Sequence, residues 1–322
     1  MAPDVSGRLE DLAGARRRIE DLRFVVVGAY VVDCFVRVSR LPTWGGELEA
    51  RSIHTSPGGK ALNQAVALAR LGAQVTAVGV VGDDGLGRDV LAALAREGID
   101  AGFVETRPKV PTTVCLCFVS DDGESTIVWH IDEDVAVTRD TVRTASSTFQ
   151  RADAVLITFE LPVSAIREAI GAAHRCGARV IVQPAPVLAD PAGALSLPWD
   201  QVDVLVPNEA EARALLGDDQ VGRDVPADGL AIALAAGLGV GTVVVTLGAA
   251  GCVTHAVGVT RRYPAPKAEA VDTTSASDAF TATFAAHITS GASGADAIQA
   301  AQAAAAWAVG HIGGHESMPQ QG

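Results

Sequence analysis

Asp278 lies where a turn of small residues, Val271-Asp272-Thr273-Thr274-Ser275-Ala276-Ser277, runs into an Ala-rich stretch that reads as a helix. A helix start presents unpaired N–H groups and the positive end of the macrodipole, which together suit a phosphate. A carboxylate in the same turn repels an anion, so its placement makes sense if it takes a proton from a hydroxyl that then attacks the phosphorus. Taken alone, the stretch reads better as an ordinary helix start. Other small-residue turns could complete a site, at 28–33, 58–63, 208–211 and 246–251. Gly58-Gly59-Lys60 in isolation is a plain tight turn. Glu160 is harder to dismiss, because it directly follows an apolar run and would put a carboxylate in a cleft.

The elements must bring these turns together. Apolar runs at 24–28, 75–81, 154–158, 179–182, 202–206 and 241–247 read as buried strands. Helices are expected over 61–71, 87–97, 162–176, 208–216, 229–236, 278–290 and 294–310. Strand and helix alternate through short Gly-rich joints, which predicts an α/β fold: a mostly parallel central sheet with helices on both faces. Two groups, 31–55 and 110–131, are polar and apolar by turns and belong outside that sheet, as a small β-sheet lid. In an open parallel sheet the site lies at the carboxyl ends of the strands, where the turns above fall. Residues 9–22 read as an amphipathic helix, so the chain divides into a helical extension over 1–23 and a main domain over 24–322.

Composition narrows the function classes. With 25 basic and 38 acidic residues the net charge is −13, which argues against a nucleic-acid-coating protein and for a cytoplasmic one. No stretch has the length and apolar character of a membrane span or signal peptide. Five scattered cysteines without a CxxC repeat give neither a disulfide framework nor a zinc site; Cys115 and Cys117 share one face of a strand and read as packing. The seven histidines have no metal-ligand spacing, and His54 and His130 fall in the expected lid.

The stretch Pro57-Gly58-Gly59-Lys60-Ala61-Leu62-Asn63-Gln64 and its continuation to Ala73 closely resemble the first signature of the ribokinase (PfkB) family of carbohydrate and nucleoside kinases. Residues 272–280 resemble its second signature. Pro207-Asn208-Glu209-Ala210-Glu211 resembles its Asn-x-x-Glu motif, and Thr246-Leu247-Gly248-Ala249-Ala250-Gly251 its nucleotide-binding turn. The four occur in the family's order and spacing, and the likeness runs from about residue 24 to 319. The resemblance implies a ribokinase-like fold with ATP and Mg2+ as cofactors. It makes Asp278 the general base, and the backbone N–H groups of Ala276, Ser277 and Asp278 an anion hole. It places Asp33, Gly59, Lys60, Asn63 and Glu160 around the acceptor sugar, although Lys60 serves as well as a phosphate ligand. Asn208 and Glu211 would organise magnesium and its waters. Thr246, Gly248 and Gly251 would form the ATP turn. Asp272 and Thr274, with Gly313 and Ser317, would hold a monovalent cation such as K+. The lid would close over the sugar, and its edge would pair two subunits into a homodimer.

The chain departs from the pattern twice. Ser275-Ala276-Ser277-Asp278 stands where the family has Gly-Ala-Gly-Asp; serine is harmless there if both positions have negative φ, and costs roughly 1–2 kcal/mol each if not. Val31 stands where ribokinase has Asn, and Ala61-Leu62 where it has smaller residues, which points to a less polar or larger acceptor than free ribose. The leading expectation is an ATP-dependent kinase acting on a primary hydroxyl of a ribose-like sugar. A nucleoside kinase is the close alternative, and a catalytically weak sugar- or nucleoside-binding regulator a more distant one. Retention of Asp278 and Glu211 favours an enzyme. A dinucleotide oxidoreductase fails for want of a G-x-G-x-x-G turn after the first strand.

Overall fold

The computed structural model describes residues 16–217 and 224–320. Among these residues there are thirteen strands: β1 Arg23–Val27, β2 Val31–Arg37, β3 Ser52–Gly58, β4 Gln74–Gly82, β5 Asp100–Arg107, β6 Val114–Val119, β7 Ser125–Val128, β8 Ala154–Thr158, β9 Arg179–Gln183, β10 Val204–Leu205, β11 Thr242–Thr246, β12 Cys252–Ala256 and β13 Val259–Tyr263. The helices are α1 Lys60–Arg70, α2 Gly85–Arg96, α3 Arg139–Thr144, α4 Ser146–Phe149, α5 Val163–Arg175, α6 Pro191–Leu195, α7 Glu209–Leu216, α8 Ala227–Leu238, α9 Ala276–Thr289 and α10 Gly294–Val309.

Nine strands form one sheet in the order β13-β12-β11-β10-β9-β8-β1-β4-β5, parallel from β11 to β5. Strand side chains alternate between faces, so β1 supplies both cores. Phe24 and Val26 join α1, α9 and α10 through Leu62, Val66, Phe284 and Ile298. Val25 and Val27 join α5 and α8 through Ile166, Ile170, Leu230 and Leu234. The expected layered α/β fold is present. From β1 the chain passes to β4 on one side and later to β8 on the other, which opens a crevice at the carboxyl end of β1. Gly28 stands there, and a Cβ on it would fall 2.5 Å from Thr158 Oγ1 and 2.6 Å from the Ala61 methyl. Only glycine lets β1, β8 and α1 converge so closely.

The second sheet has the order β3-β2-β6-β7 and is the small separate sheet anticipated from 31–55 and 110–131; we call it the lid after the role expected for it. Three strands were not legible in the sequence. Strand β5 is an edge strand with a single buried residue, Val104, and polar residues at both ends, so it carries little apolar signal. The β12–β13 hairpin turns through Val257 and Gly258 at φ 50° and 75°, without the Asn-Gly or Asp-Gly pair that announces such turns. The helix expected over 9–22 is not continuous: residues 16–22 are extended around a single 3-10 turn, Ile19–Asp21, and 9–15 lie outside the described residues.

Candidate active site

The loop 271–275 is folded by Asp272, which is 1 % exposed. Its Oδ1 accepts from the N–H and hydroxyl of Thr274 at 2.9 and 2.5 Å, and its Oδ2 from the Gly313 N–H at 3.1 Å. Ser275 is the N-cap of α9 at φ −110°, ψ 7°, and Ser277 lies within the helix. Neither serine has positive φ, so neither carries the backbone strain considered above. The Ser275 hydroxyl caps nothing in its own helix; it contacts the Gly313 carbonyl at 3.1 Å and Ser317 Oγ at 2.6 Å. The Ser277 hydroxyl accepts from Gln183 Nε2 at 3.1 Å.

Asp278 follows in the first turn of α9 and is 1 % exposed. Its Oδ2 accepts from Asn63 Nδ2 at 2.9 Å, while its Oδ1 has no protein partner. Burial pushes its pKa above the ordinary carboxylate value, opposed by Lys60 and by the amides of Asn63, Gln183 and Gln64. The N–H of Asp278 is taken up by the Ser275 carbonyl at 3.1 Å, so it is not free for an anion. Ala276 and Ser277 remain: both line the adjoining cleft, and the Ala276 N–H reaches the Thr273 carbonyl only at 3.5 Å.

Around this turn stand three more carboxylates. Gly59 adopts φ 92°, and a Cβ there would meet the Ala29 carbonyl at 2.6 Å, so glycine alone lets β3 turn directly into α1. Its N–H donates to Asp33 Oδ2 at 3.3 Å. The Lys60 N–H donates to Glu160 Oε1 at 3.4 Å, and Thr158 Oγ1 to Oε2 at 3.3 Å. Burial raises Asp33 to about 6, Glu211 to about 7 and Glu160 to about 8; Lys60 and local N–H donors oppose the shift. For the Lys60 ammonium burial works against the charge, but Asp278, Glu160, Glu211 and Asp33 outweigh it and raise its pKa. Lys60 therefore faces the carboxylates and the cleft at once, which unites the two roles open for it in the sequence.

The cleft has a volume of about 450 Å³. One wall carries Asn208, Glu211, Thr246, Gly248 and Gly251; the other carries Phe280 with Gln302, Ala305, Ala306 and Val309 of α10. An isolated bridge between Asn208 and Thr246 joins the two motifs. Asn208 and Glu211 cap α7 reciprocally: each Glu211 oxygen accepts from Asn208 at 2.8 Å, and Asn208 Oδ1 accepts from the Glu211 N–H at 2.8 Å. Gly251 sits at φ 94°, where a Cβ would lie 1.9 Å from the Tyr263 carbonyl.

Paired residues in the lid share a face. Asp33 with Ser56 and Cys115, then Phe35 with His54, Cys117 and Ile127, form the face that carries Asp33. Phe35 and His54 stack at 5.1 Å. Val31 is buried with Ala29, Cys115 and Ile131. The lid is tied at two points. Thr273 Oγ1 donates to the Gly123 carbonyl at 3.3 Å and lies 3.4 Å from Ser125 Oγ. On the tail, His315 Nδ1 lies 2.7 Å from the Pro57 carbonyl, and Ser56 hydrogen-bonds Glu316. His130 is exposed.

Sequence reasoning missed Gln64, Gln183 and Glu316. Gln64 and Gln183 are buried, hydrogen-bond one another and reach Asp278. The signal for Gln183 was present: a lone polar residue ending the apolar strand β9, as Glu160 follows β8.

Residues 21–321 match the family described as pfkB family carbohydrate kinase. The chain is similar to the ribokinase of Haemophilus influenzae, 31% identical over 261 residues, 80% of this chain and 83% of that one. A deoxyribokinase from Salmonella typhi is 28% identical over 266 residues, 81% of this chain and 83% of that one. The structure of Arabidopsis thaliana ribokinase complexed with ribose and ATP superposes with a TM-score of 0.77 at 28% identity, covering 95% of this chain and 96% of that one.

Proposed function

The chain belongs to the pfkB family of carbohydrate kinases, and from that premise we propose that it transfers the γ-phosphate of ATP to a primary hydroxyl of a ribose-like sugar. It is a phosphotransferase with an alcohol group as acceptor and a sugar kinase in class. The observation that carries the finer reading is the buried, unpartnered Oδ1 of Asp278 beside a helix start. A buried acceptor without a donor is costly, and a substrate hydroxyl supplies the missing donor.

In this reading Asp33, Gly59, Asn63 and Glu160 hold the acceptor, and Asn63 Oδ1, also unpartnered, is a second point for a hydroxyl. Asp278 takes the hydroxyl proton as the oxygen attacks the γ-phosphorus; the new P–O bond forms as the bond to ADP breaks. Lys60 and the N–H groups of Ala276 and Ser277 face the charge on the moving phosphoryl group. The wall of Thr246, Gly248 and Gly251, with the small residues of α10 opposite, would hold the nucleotide.

Glu211 and Asn208 line the cleft with their side-chain oxygens already hydrogen-bonded to each other's N–H groups. They would therefore organise Mg2+ through its waters, which suits an ion that keeps several waters and leans on substrate phosphates. When bound, that ion neutralises phosphate charge. Among the described residues no group of three or more His, Cys, Asp or Glu side chains could hold a metal unaided.

Two features bear on the acceptor and the assembly. Val31 is buried against Ala29, Cys115 and Ile131 and brings no hydrogen-bonding side chain two residues before Asp33, which favours a nucleoside or modified pentose as the second reading. The other face of the lid carries Ile53, Val114, Leu116 and Val128, 39–65% exposed, and we assign it to a homodimer contact. ATP consumption by the purified chain with magnesium, across pentoses, hexoses and nucleosides, tests the function. Turnover on a pentose supports the leading reading, turnover on nucleosides alone selects the second, and ligand binding without turnover overturns both.

A further inference from the structure

We propose that the Ser275 hydroxyl takes the place of the monovalent cation implied for this loop, so that the chain works without one; the inference rests on the kinase reading above. The residues implied for the ion are Asp272, Thr274, Gly313 and Ser317, and the fold does bring them together. The side-chain oxygens of Asp272, Thr274 and Ser317 are already hydrogen-bonded. Asp272 accepts from Thr274 twice and from the Gly313 N–H, and Ser317 donates to the Gly314 carbonyl at 2.8 Å. Ser275 Oγ lies 3.1 Å from the Gly313 carbonyl and 2.6 Å from Ser317 Oγ. It is within hydrogen-bond distance of both, and these are two of the oxygens a cation would need.

Hard cations are held by converging oxygens with free lone pairs. Here a side chain fills the convergence, and Ser275 and Ser317 are 1 % and 0 % exposed. Among the described residues, the buried side-chain atoms without a partner include Asn63 Oδ1, Gln64 Oε1 and Asp278 Oδ1 at the reacting end, and none from this loop. The loop does not fit an ion. Glycine at 275 would leave the space of the missing CH2OH, and the backbone at φ −110° accepts either residue. The hydroxyl ties the tail to the residue just before Ala276 and Ser277, and the same tail reaches the lid through His315 and Glu316. Ser275 is thus a positioning residue: it aims the two N–H groups without touching substrate.

The test compares the parent, Ser275→Gly and Ser275→Ala in potassium chloride and in choline chloride at equal ionic strength. Melting temperature of the ligand-free protein and kcat/KM for ATP are read in each. The parent is expected to give the same values in both salts. Ser275→Gly is expected to melt earlier and to lose on the order of tenfold to a hundredfold in kcat/KM in choline, the size of a misaimed oxyanion donor, and to recover both in potassium. Ser275→Ala, whose methyl still obstructs the space, is expected to weaken equally in both salts. A parent stabilised and activated specifically by potassium overturns the proposal, as does a glycine variant as indifferent as the parent. The melting arm needs no turnover, so a chain that phosphorylates nothing refutes the kinase reading while the loop is still decided.

Discussion

Asp278 combines burial, a hydrogen bond from Asn63 on one oxygen, nearby Gln64 and Gln183 amides, and no hydrogen bond on the other oxygen, and the chemistry turns on that second oxygen. Asp278→Asn keeps the shape and the Asn63 neighbour but cannot take a proton. The expected result is a fall in kcat of roughly 10²–10⁴-fold, with acceptor affinity by calorimetry nearly unchanged; retained turnover would sink the assigned mechanism. The residue scale is also where the sequence was most ambiguous. Glu160 was legible because it follows an apolar strand and Asp278 because it opens a helix after a small-residue turn, whereas Asn63 rested on the likeness to the family's first signature. The two serines were not, because their effect depends on φ and on a tail nearly forty residues on, and neither is written locally.

At the scale of elements, the long helices and the buried parallel strands follow from periodicity, while edge strands and the β12–β13 hairpin do not. That hairpin matters to the site, since Gly251 turns against the Tyr263 carbonyl in β13. Gly251→Ala puts a Cβ into that carbonyl at positive φ, a strain on the order of 1–3 kcal/mol. The turn that faces the nucleotide should shift, raising KM for ATP while the acceptor's KM stays near the parent value. Equal changes in both would mean that the turn and the acceptor pocket move together. The lid makes a second expectation at this scale. Leu116→Asp places a charge in the exposed apolar face, and light scattering should then report monomer where the parent is a dimer; a parent already monomeric removes the assigned interface.

For the whole molecule, the acid cluster links site to stability. Asp33, Glu211 and Glu160 titrate at about 6, 7 and 8 when folded, against ordinary values of 3.8 and 4.5. The folded chain therefore holds more protons than the unfolded chain between these limits, and the ligand-free protein loses stability as pH rises from about 4 through 8. Melting scans should show the decline, at roughly 2–4 °C per kcal/mol, and Glu160→Gln should flatten its upper end. A flat profile in the parent would mean the carboxylates are ionised at little cost. The double-sided sheet that buries them was plain in the sequence; the closeness of four acids was not, because it arises where β8 ends and where β2, α7 and α9 begin. The same cluster makes the pocket a proton reservoir before any acceptor binds. Hydroxyls that donate to these carboxylates favour their ionised form, so filling the pocket near neutral pH discharges hydrogen ions into the medium. The heat of acceptor binding will then vary with the ionisation enthalpy of the buffer, and its slope counts the protons set free.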